Sequence, residues 1–218
     1  MKLSATGDQR SIIRRVLSHR FVPLHVALLA IVLTSGSLRV GWVMDDYFQR
    51  LAVLGSPNLS WFYSTPMEMF CFFDGDPQRN HRAMDIGIFP WWTFDRIKAC
   101  FWRPLTVLTH WLDYRFWPDV AVLMHAHSLV WFGVMVFVAG LLYRRIMGAG
   151  AAAGLAVLLY AIDDAHAMSA AWLSARNALL AGCFGITAMI FHDRWRRQGR
   201  SGSAFLAPKQ ANITGFLA

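Results

Sequence analysis

The sequence predicts an all-α integral membrane protein, with about four transmembrane helices and an amphipathic helix lying along the extracytoplasmic membrane surface. Hydrophobic residues make up 56% of the 218 residues and charged residues only 16%, against roughly 25% in soluble domains. Several apolar runs reach about the 20 residues that a helix needs to cross a bilayer. The net charge of +8 does not indicate nucleic acid as a partner, because the Arg and Lys residues cluster directly outside the apolar runs. The expected surroundings are membrane lipids.

Four apolar runs define the predicted spans. Within a membrane domain of residues 21–197 they lie at about 21–43, 120–143, 148–165 and 171–191, after a basic segment (1–20) and before a flexible tail (198–218). With four spans, the three basic clusters share one side, which the positive-inside rule makes cytoplasmic. The long loop 44–119 and the turn near Asp163 then face outward with eleven of the thirteen acidic residues. This predicts a cytoplasmic N-terminus, with the protein in the inner or plasma membrane if its source is a bacterium.

The outer loop contains one helical pattern and one aromatic segment. In "FWRPLTVLTHWLDYRFW" (101–117), apolar residues recur every three or four positions, namely Phe101, Leu105, Leu108, Leu112 and Phe116. This pattern predicts a helix with one apolar face, and its tryptophans are typical of the membrane–water interface. Residues 66–98 are predicted to form an irregular aromatic loop. Cys71 and Cys100 can form a disulfide if the outer loop is extracytoplasmic.

Two adjacent acids follow the first apolar run, in "VMDDYFQR" (43–50). At the boundary between water and lipid, desolvation raises the pKa of a carboxyl group toward working pH. Such a group can serve as a general base or anchor a metal or substrate. Asp45 and Asp46 are therefore candidate catalytic residues. The alternative interpretation is a pair of solvated acids that end a helix.

Two arginines are predicted to lie near the plane of the lipid phosphates. Arg103 opens the amphipathic helix, with Pro104 in its first turn, and Arg176 lies about one turn inside the fourth span. A cation at that depth is expensive and is usually paired or functional. A guanidinium group matches phosphate with two parallel hydrogen bonds, so both arginines are candidate substrate-binding residues. For Arg103 the alternative is an ordinary interfacial side chain that extends toward water.

The second outer turn holds Asp163, Asp164 and His166. These residues are candidates for acid–base work or for a divalent metal site shared with Asp45 and Asp46, because Asp and His are common ligands. His166 is also a candidate substrate-binding residue. A polar turn between two spans is the alternative, and no residue is assigned as a metal ligand.

Three segments carry a resemblance to a known family. They are "MDDYFQR" after the first span, "RPLTVLTHWLDYRFW", and the stretch from "HAHSLVWFG" to "WLSARNALLAG". In this order, over about residues 20–195, the chain resembles the N-terminal part of GT-C glycosyltransferases. It is similar in particular to the protein O-mannosyltransferase-like branch, which includes the transmembrane and tetratricopeptide-repeat proteins. The turn "DDAHAMSAAW" departs from that family's pattern, so the resemblance implies no role for its two acids.

The resemblance implies an enzyme that moves a hexose or pentose from a polyprenyl-phosphate donor to an acceptor at the extracytoplasmic membrane face. One acid of the first outer loop would deprotonate the acceptor hydroxyl, with Asp46 preferred over Asp45. Because the family has further spans, we expect a partial GT-C fold that is inactive alone. The chain is then a fragment, a truncated reading frame, or one half of an assembly that a further membrane chain completes. The alternative function is a non-enzymatic membrane subunit that binds a partner through the aromatic loop 66–98.

Overall fold

The computed structural model describes residues 12–55, 61 and 65–205, with side chains as far as residue 198. After a helical stretch at residues 12–18, the α-helices are α1 (Val22–Leu33), α2 (Asp45–Leu54), α3 (Pro77–Asp85), α4 (Pro104–Phe116), α5 (Ala121–Met147), α6 (Ala151–Ile162), α7 (Ala167–Ala171) and α8 (Arg176–Phe205). Short 3-10 helices lie at Ser35–Arg39, Pro66–Glu68, Asp164–His166 and Leu173–Ala175. Strands β1 (Cys71–Asp74) and β2 (Lys98–Cys100) form a two-stranded sheet. The protein is therefore mostly helical.

Three helical segments of the described chain are long and apolar enough to cross a membrane. They are Val22–Arg39, Ala121–Met147 and Leu173–Gln198, with 18, 27 and 26 residues, and they coincide with the first, second and fourth predicted spans. The first ends at Arg39 rather than near Val43, since Gly41 adopts a left-handed φ of 73° that a right-handed helix does not contain. The predicted tail begins as a continuation of α8, and residues 206–218 lie outside the described part, as do residues 1–11.

The third predicted span is broken. α6 has 12 residues, or about 18 Å of helix, which is shorter than the roughly 30 Å hydrocarbon core of a bilayer. The segment Asp164–Ala171 follows at an angle of 47°. Its first turn is fixed by the Asp163 carboxylate, which accepts a hydrogen bond from the Ala165 N–H at 3.0 Å. The described chain therefore has a fourth span only if this bent pair crosses the membrane as one unit.

α5 is the central helix of the apolar bundle and packs against α1, α6 and α8. Buried side chains of these helices form the core, among them Val26, Ala30, Phe132, Val136, Val157 and Leu179. Small residues let the helices approach closely. A Cβ added to Gly140 of α5 would lie 2.8 Å from the Pro23 Cβ of α1. At Gly154 of α6 an added Cβ would lie only 2.1 Å from the Leu17 carbonyl oxygen.

Gly154→Ala is expected to lower the free energy of unfolding by about 1–3 kcal/mol, the usual cost of an overpacked contact. The clashing atom belongs to the backbone of Leu17, so a side-chain rotation cannot relieve it. Gly185→Ala is the matched control, because Gly185 lies in α8 with nothing within 4 Å of an added Cβ. Alanine there should stabilise the helix by up to about 1 kcal/mol. Thermal unfolding in detergent micelles measures both variants, and equal melting temperatures would contradict the close approach of residues 12–18 to α6.

The predicted outer loop is a folded layer. Residues from α2, α3, α4 and the segment before β1 form a second core of Ala52, Met69, Phe70, Ala83 and Val107. β1 and β2 pair antiparallel with Cys71 opposite Cys100, and these two cysteines form a disulfide, which confirms the predicted pairing. The prediction of an irregular loop at 66–98 is wrong. Asn80 of α3 is 1% exposed and donates its Nδ2 to the Asp95 carbonyl at 2.7 Å, which ties the returning chain to the helix.

Candidate functional site

The acid pair lies in the first turn of α2 rather than at the end of a transmembrane helix. Met44, immediately before it, has a φ of 47°, a left-handed conformation that is uncommon outside glycine. The following turn is fixed by the Val43 N–H, which donates to Asp46 Oδ2 at 2.9 Å. Carboxylates at this end of a helix also interact favourably with its dipole. Because successive residues of an α-helix are about 100° apart, Asp45 and Asp46 face different surroundings.

Asp46 is buried, with 1% of its surface exposed, and its carboxylate connects two separate segments of the chain by hydrogen bonds. Its Oδ1 accepts a hydrogen bond from the Ser174 backbone N–H at 2.9 Å. Burial raises the pKa of the Asp46 carboxyl, and the hydrogen bonds from Val43 and Ser174 act in the opposite direction. One turn later, Gln49 donates its Nε2 to Ser174 Oγ at 2.5 Å. Asp46 therefore joins α2 to the start of the last membrane-spanning segment and is enclosed there.

Asp45 is half-buried and is the open carboxylate of the pair. Within residues 12–55, 61 and 65–198, its side chain takes part in no hydrogen bond or ion pair, and burial alone raises its pKa. A partly desolvated carboxylate without a partner is suited to accept a proton. Of the two acids, Asp45 is therefore the one that is free to accept a proton, whereas Asp46, which the sequence-based interpretation preferred, is held by hydrogen bonds within the fold.

Asp45 and Arg103 line the same pocket, which has a volume of about 220 Å³. The other lining residues come from α2, β1 and the segments around the two strands, the turn that precedes α8, and the start of α8. They are Gln49, Phe70, Phe72, Phe101, Trp172, Ser174, Ala175 and Asn177. The pocket thus combines a carboxylate, a guanidinium group, two amides and aromatic walls at one end of the membrane helices. This combination can hold an anionic group next to a proton acceptor.

The Arg103 guanidinium is held by an amide and two aromatic rings. Its Nη1 donates to Asn177 Oδ1 at 3.2 Å. Its Cζ lies 5.0 Å from the centre of the Phe70 ring and 4.7 Å from that of Phe101, within the range of cation–π interactions. Burial lowers the pKa of Arg103, yet an arginine stays charged at physiological pH. No carboxylate of the described residues forms an ion pair with it, so its charge is available to an anion.

A second pocket of about 280 Å³ adjoins the first. The two share Asp45 and Phe72. Its remaining lining residues are all apolar, namely Phe48, Phe73, Ile88, Phe89 and Ala99. Asp45 therefore lies at the junction of a polar pocket and an apolar one.

Arg176 lies outside both pockets. It is fully buried, at 0% exposure, and its Nη1 lies 2.5 Å from Asp113 Oδ2. Its Nε donates to Ser128 Oγ and its Nη2 to the Met124 carbonyl, both at 2.9 Å. An internal carboxylate, rather than a lipid phosphate, thus accompanies this deep cation. The predicted contact of Arg176 with a donor phosphate stays a prediction, and the geometry gives this side chain Asp113 as its partner.

Asp113 also accepts a hydrogen bond from His127 Nδ1 at 2.7 Å. The Trp131 indole N–H donates to His127 Nε2 at 3.0 Å, which leaves Nδ1 as the ring nitrogen that faces Asp113 as a donor. Neither ring nitrogen of His110, in the same buried face of α4, meets hydrogen-bond geometry within the described residues. Burial lowers the pKa of His110 well below its usual value, and Arg176 lowers it further. Asp113 therefore links the buried polar face of α4 to α5 through His127 and to α8 through Arg176.

His166 does not line either pocket. Its ring packs against aromatic neighbours, 4.5 Å from the Tyr160 ring centre and 5.5 Å from that of Phe132. In the part of the chain that the structure describes, no group of three or more His, Cys, Asp and Glu residues is placed to hold a metal ion. The metal site suggested for Asp163, Asp164 and His166 together with the acid pair is therefore not formed by these residues.

The sequence analysis missed Asp113, Ser174 and Asn177. For Asp113 a signal was present, since polar residues recur every three or four positions on one side of the amphipathic helix, namely Thr106, Thr109, His110 and Asp113. Ser174 and Asn177 carry no such signal. Their contacts with Asp46 and Arg103 join residues 128 and 74 positions apart, so only the folded chain identifies them.

Comparison of the chain with protein-family models, with curated proteins and with solved structures finds no match. The resemblance to GT-C glycosyltransferases is therefore carried by the residue patterns alone. Functional conclusions rest on the geometry of the pocket.

Proposed function

We propose that this chain forms part of a glycosyltransferase that moves a sugar from a polyprenyl-phosphate donor to a hydroxyl acceptor at the extracytoplasmic membrane face. One observation carries the proposal. A carboxylate and a guanidinium group, Asp45 and Arg103, line one pocket at the end of the membrane helices, and neither has an oppositely charged partner among the described residues. The reaction requires both groups, a base for the acceptor and a cation for the departing phosphate.

In the proposed reaction the acceptor hydroxyl oxygen attacks the anomeric carbon of the donor and forms the new glycosidic bond. The bond between that carbon and the phosphate oxygen breaks, and polyprenyl phosphate leaves with the bonding electrons. Asp45 takes the hydroxyl proton, which makes the oxygen a better nucleophile. Arg103 binds the phosphate and stabilises the negative charge that grows on it. Trp172 and Phe72 offer flat apolar faces to the sugar ring.

The outward face of α4 supports a site at the membrane surface. Most of its exposed side chains are apolar, namely Leu105, Leu108, Trp111 and Phe116, at 52, 50, 43 and 68% exposure, and Arg115 in the last turn is the one exposed charge. Its buried face is the polar one, with Thr106, Thr109, His110, Asp113 and Tyr114. A helix that faces water shows the opposite pattern. We therefore place α4 in the interface of the outer leaflet, which brings Arg103, at its start, to the level of the lipid phosphates.

The distribution of basic residues supports a cytoplasmic N-terminus. Arg144 donates its Nη1 to the His19 carbonyl at 2.8 Å, so residues 12–20 and the end of α5 share one end of the bundle. Arg145 forms an ion pair with Asp193, which brings the basic end of α8 to the same place. The positive-inside rule favours the cytoplasm for this end. The pocket, at the other end of α8, then faces outward, where the disulfide of the outer layer fits an oxidising compartment.

A non-enzymatic membrane subunit is the second candidate, and exposed rings in the loop 66–98 favour it. Trp91, Trp92 and Phe94 are 82, 70 and 67% exposed, and exposed apolar patches often mark interaction sites. Such a subunit needs the loop but not the pocket. The two functions therefore differ in their dependence on Arg103.

Arg103→Ala is expected to weaken the binding of a short-chain polyprenyl phosphate by roughly tenfold to a hundredfold, the effect of losing hydrogen bonds to a charged group. Binding is measured by fluorescence titration of the purified full chain in lipid nanodiscs. Arg103→Lys should retain part of the affinity, because the charge remains but the planar fork is lost. Arg96→Ala removes an exposed cation of the same outer layer and should have no effect. Equal affinities for Arg103→Ala and Arg96→Ala would contradict the proposed glycosyltransferase and favour the non-enzymatic membrane subunit.

A further inference from the structure

The apolar pocket beside Asp45 shares only Asp45 and Phe72 with the donor chemistry described above. Of the residues that line it, only Asp45 is charged, and the others are aromatic or aliphatic. One wall is made by Phe73 and Phe89, whose ring centres lie 4.2 Å apart. The pocket measures about 280 Å³, just below the roughly 300–1,000 Å³ of pockets that enclose drug-sized ligands. It therefore suits a single ring or a branched aliphatic group rather than a whole lipid chain.

Secondary structure holds the carboxylate and the apolar wall in a fixed relation. Asp45 and Phe48 are three residues apart in α2 and so lie on the same side of the helix. Phe73 and Ala99 face each other across the paired strands β1 and β2. The site is thus built on a helix and a sheet rather than on a free loop, which favours selection of one ligand shape.

The position of Asp45 determines from which side a proton can reach it. On one side the polar pocket holds Arg103, the proposed ligand of the donor phosphate. A hydroxyl group that gives its proton to Asp45 while the donor is bound must then approach from the apolar pocket. Any apolar group next to that hydroxyl would be carried into the pocket with it.

We propose that the apolar pocket selects the acceptor. Hydroxyl compounds that carry an aromatic or branched aliphatic group beside the hydroxyl bind there, with the apolar group against Phe48 and Phe73 and the hydroxyl at Asp45. The driving force is the removal of apolar surface from water. The role of such a compound as acceptor rests on the proposed function, whereas its binding in the pocket does not.

The test uses two water-soluble hydroxyl compounds that differ only in their apolar group, phenyl β-glucoside and methyl β-glucoside. Their dissociation constants are measured by saturation-transfer NMR with the purified full chain in lipid nanodiscs, and empty nanodiscs serve as the blank. Phenyl β-glucoside should bind roughly tenfold or more tightly, because the pocket buries its ring. Ala99→Leu, which fills the pocket, should abolish this preference. Ala99→Ser, which leaves the space open, should retain it.

Equal affinities for the two glucosides in the unaltered chain would overturn the proposal. So would a preference that persists in Ala99→Leu, because the ring would then bind elsewhere. If Ala99→Leu does not fold, Ile88→Ala replaces it. This change enlarges the pocket and should shift the binding preference toward 2-naphthyl β-glucoside. An unchanged preference would overturn the proposal. Polyprenyl-phosphate binding is measured in the same samples, which separates the proposed acceptor pocket from the proposed glycosyltransferase. Loss of the phenyl preference in Ala99→Leu supports ligand binding in the apolar pocket. This support stands even if Arg103→Ala leaves phosphate binding unchanged and no glycosyl transfer is found, results that would contradict only the proposed glycosyltransferase.

Discussion

Asp45→Asn is expected to lower the rate of glycosyl transfer by about 10²–10⁴-fold, the range that a positioned general base contributes. The amide keeps the size of the carboxyl group but cannot accept the proton. Since the Asp45 side chain makes no hydrogen bond or ion pair within the described residues, the change removes only its interaction with the dipole of α2 and should cost no more than about 1 kcal/mol of stability. Transfer is measured in native membranes with a panel of labelled polyprenyl-phosphate hexoses and pentoses.

The pH dependence of transfer gives a second readout for Asp45. Burial raises the pKa of this carboxyl, and a base acts only in its ionised form. The rate should therefore fall as the pH drops, and the midpoint of the fall should lie above the pKa of an exposed aspartate, which is about 3.9. Asp45→Asn should remove this acidic limb. Asp85→Asn, at an exposed position at the end of α3, is the control and should keep both the rate and the profile.

Asp46→Asn should behave differently, and the contrast tests which acid is the base. An asparagine would place an NH₂ group against a backbone N–H of Val43 or Ser174, the two donors that the carboxylate now accepts from. Leaving such buried groups unsatisfied costs about 1–3 kcal/mol, so a lower melting temperature should accompany any loss of rate. Loss of transfer at an unchanged melting temperature in Asp46→Asn, with an active Asp45→Asn, would restore Asp46 as the base.

Local patterns were sufficient to predict part of this architecture. Three of the four apolar runs correspond to helices that can span a membrane, and the periodic stripe predicted the helix that Arg103 precedes. The pairing of Cys71 with Cys100 was predicted only on the condition that their shared loop is extracytoplasmic. Each of these depends on residues close together in the sequence or on a single composition rule. The outer layer was harder to predict, because its core joins residues from four separate segments.

The roles of neighbouring polar residues could not be predicted in the same way. Asp45 and Asp46 are chemically identical and adjacent, and their difference comes from the Ser174 backbone N–H, 128 positions away. For Arg176, the cost of a deep cation correctly indicated that a partner is needed. The sequence did not identify that partner as Asp113, since the face of α4 that turns inward depends on how the helix packs. Long-range contacts therefore decide which polar groups face the pocket and which stabilise the fold.

Asp113→Asn is expected to lower the free energy of unfolding by about 3–5 kcal/mol, the usual cost of removing one partner of a buried ion pair. Both the Asp113 and Arg176 side chains are 0% exposed, so the substitution leaves a buried cation without its counter-charge. It also weakens the acceptor for His127 Nδ1. Unfolding of the purified chain in mixed micelles, followed by tryptophan fluorescence, measures the loss.

The surface pair of Arg50 and Asp119 provides the matched control. Asp119→Asn makes the same chemical change in an ion pair whose aspartate side chain is 77% exposed. Solvent screens such a pair, so its loss should cost at most about 1 kcal/mol. A loss of stability in Asp113→Asn no larger than in Asp119→Asn would contradict the burial of the Arg176–Asp113 pair.

The double variant Arg176→Met/Asp113→Leu separates a structural role of Arg176 from a role in donor binding. Removing both charges removes the need to pair them, so the double variant should regain most of the stability that Asp113→Asn loses. The remaining deficit comes from His127 Nδ1, which loses its acceptor, and from Ser128 Oγ and the Met124 carbonyl, which lose their Arg176 donors. Because Arg103 lies at the start of the helix that Asp113 anchors, polyprenyl-phosphate binding should recover together with stability. A double variant that is stable but does not bind polyprenyl phosphate would mean that Arg176 contacts the donor directly.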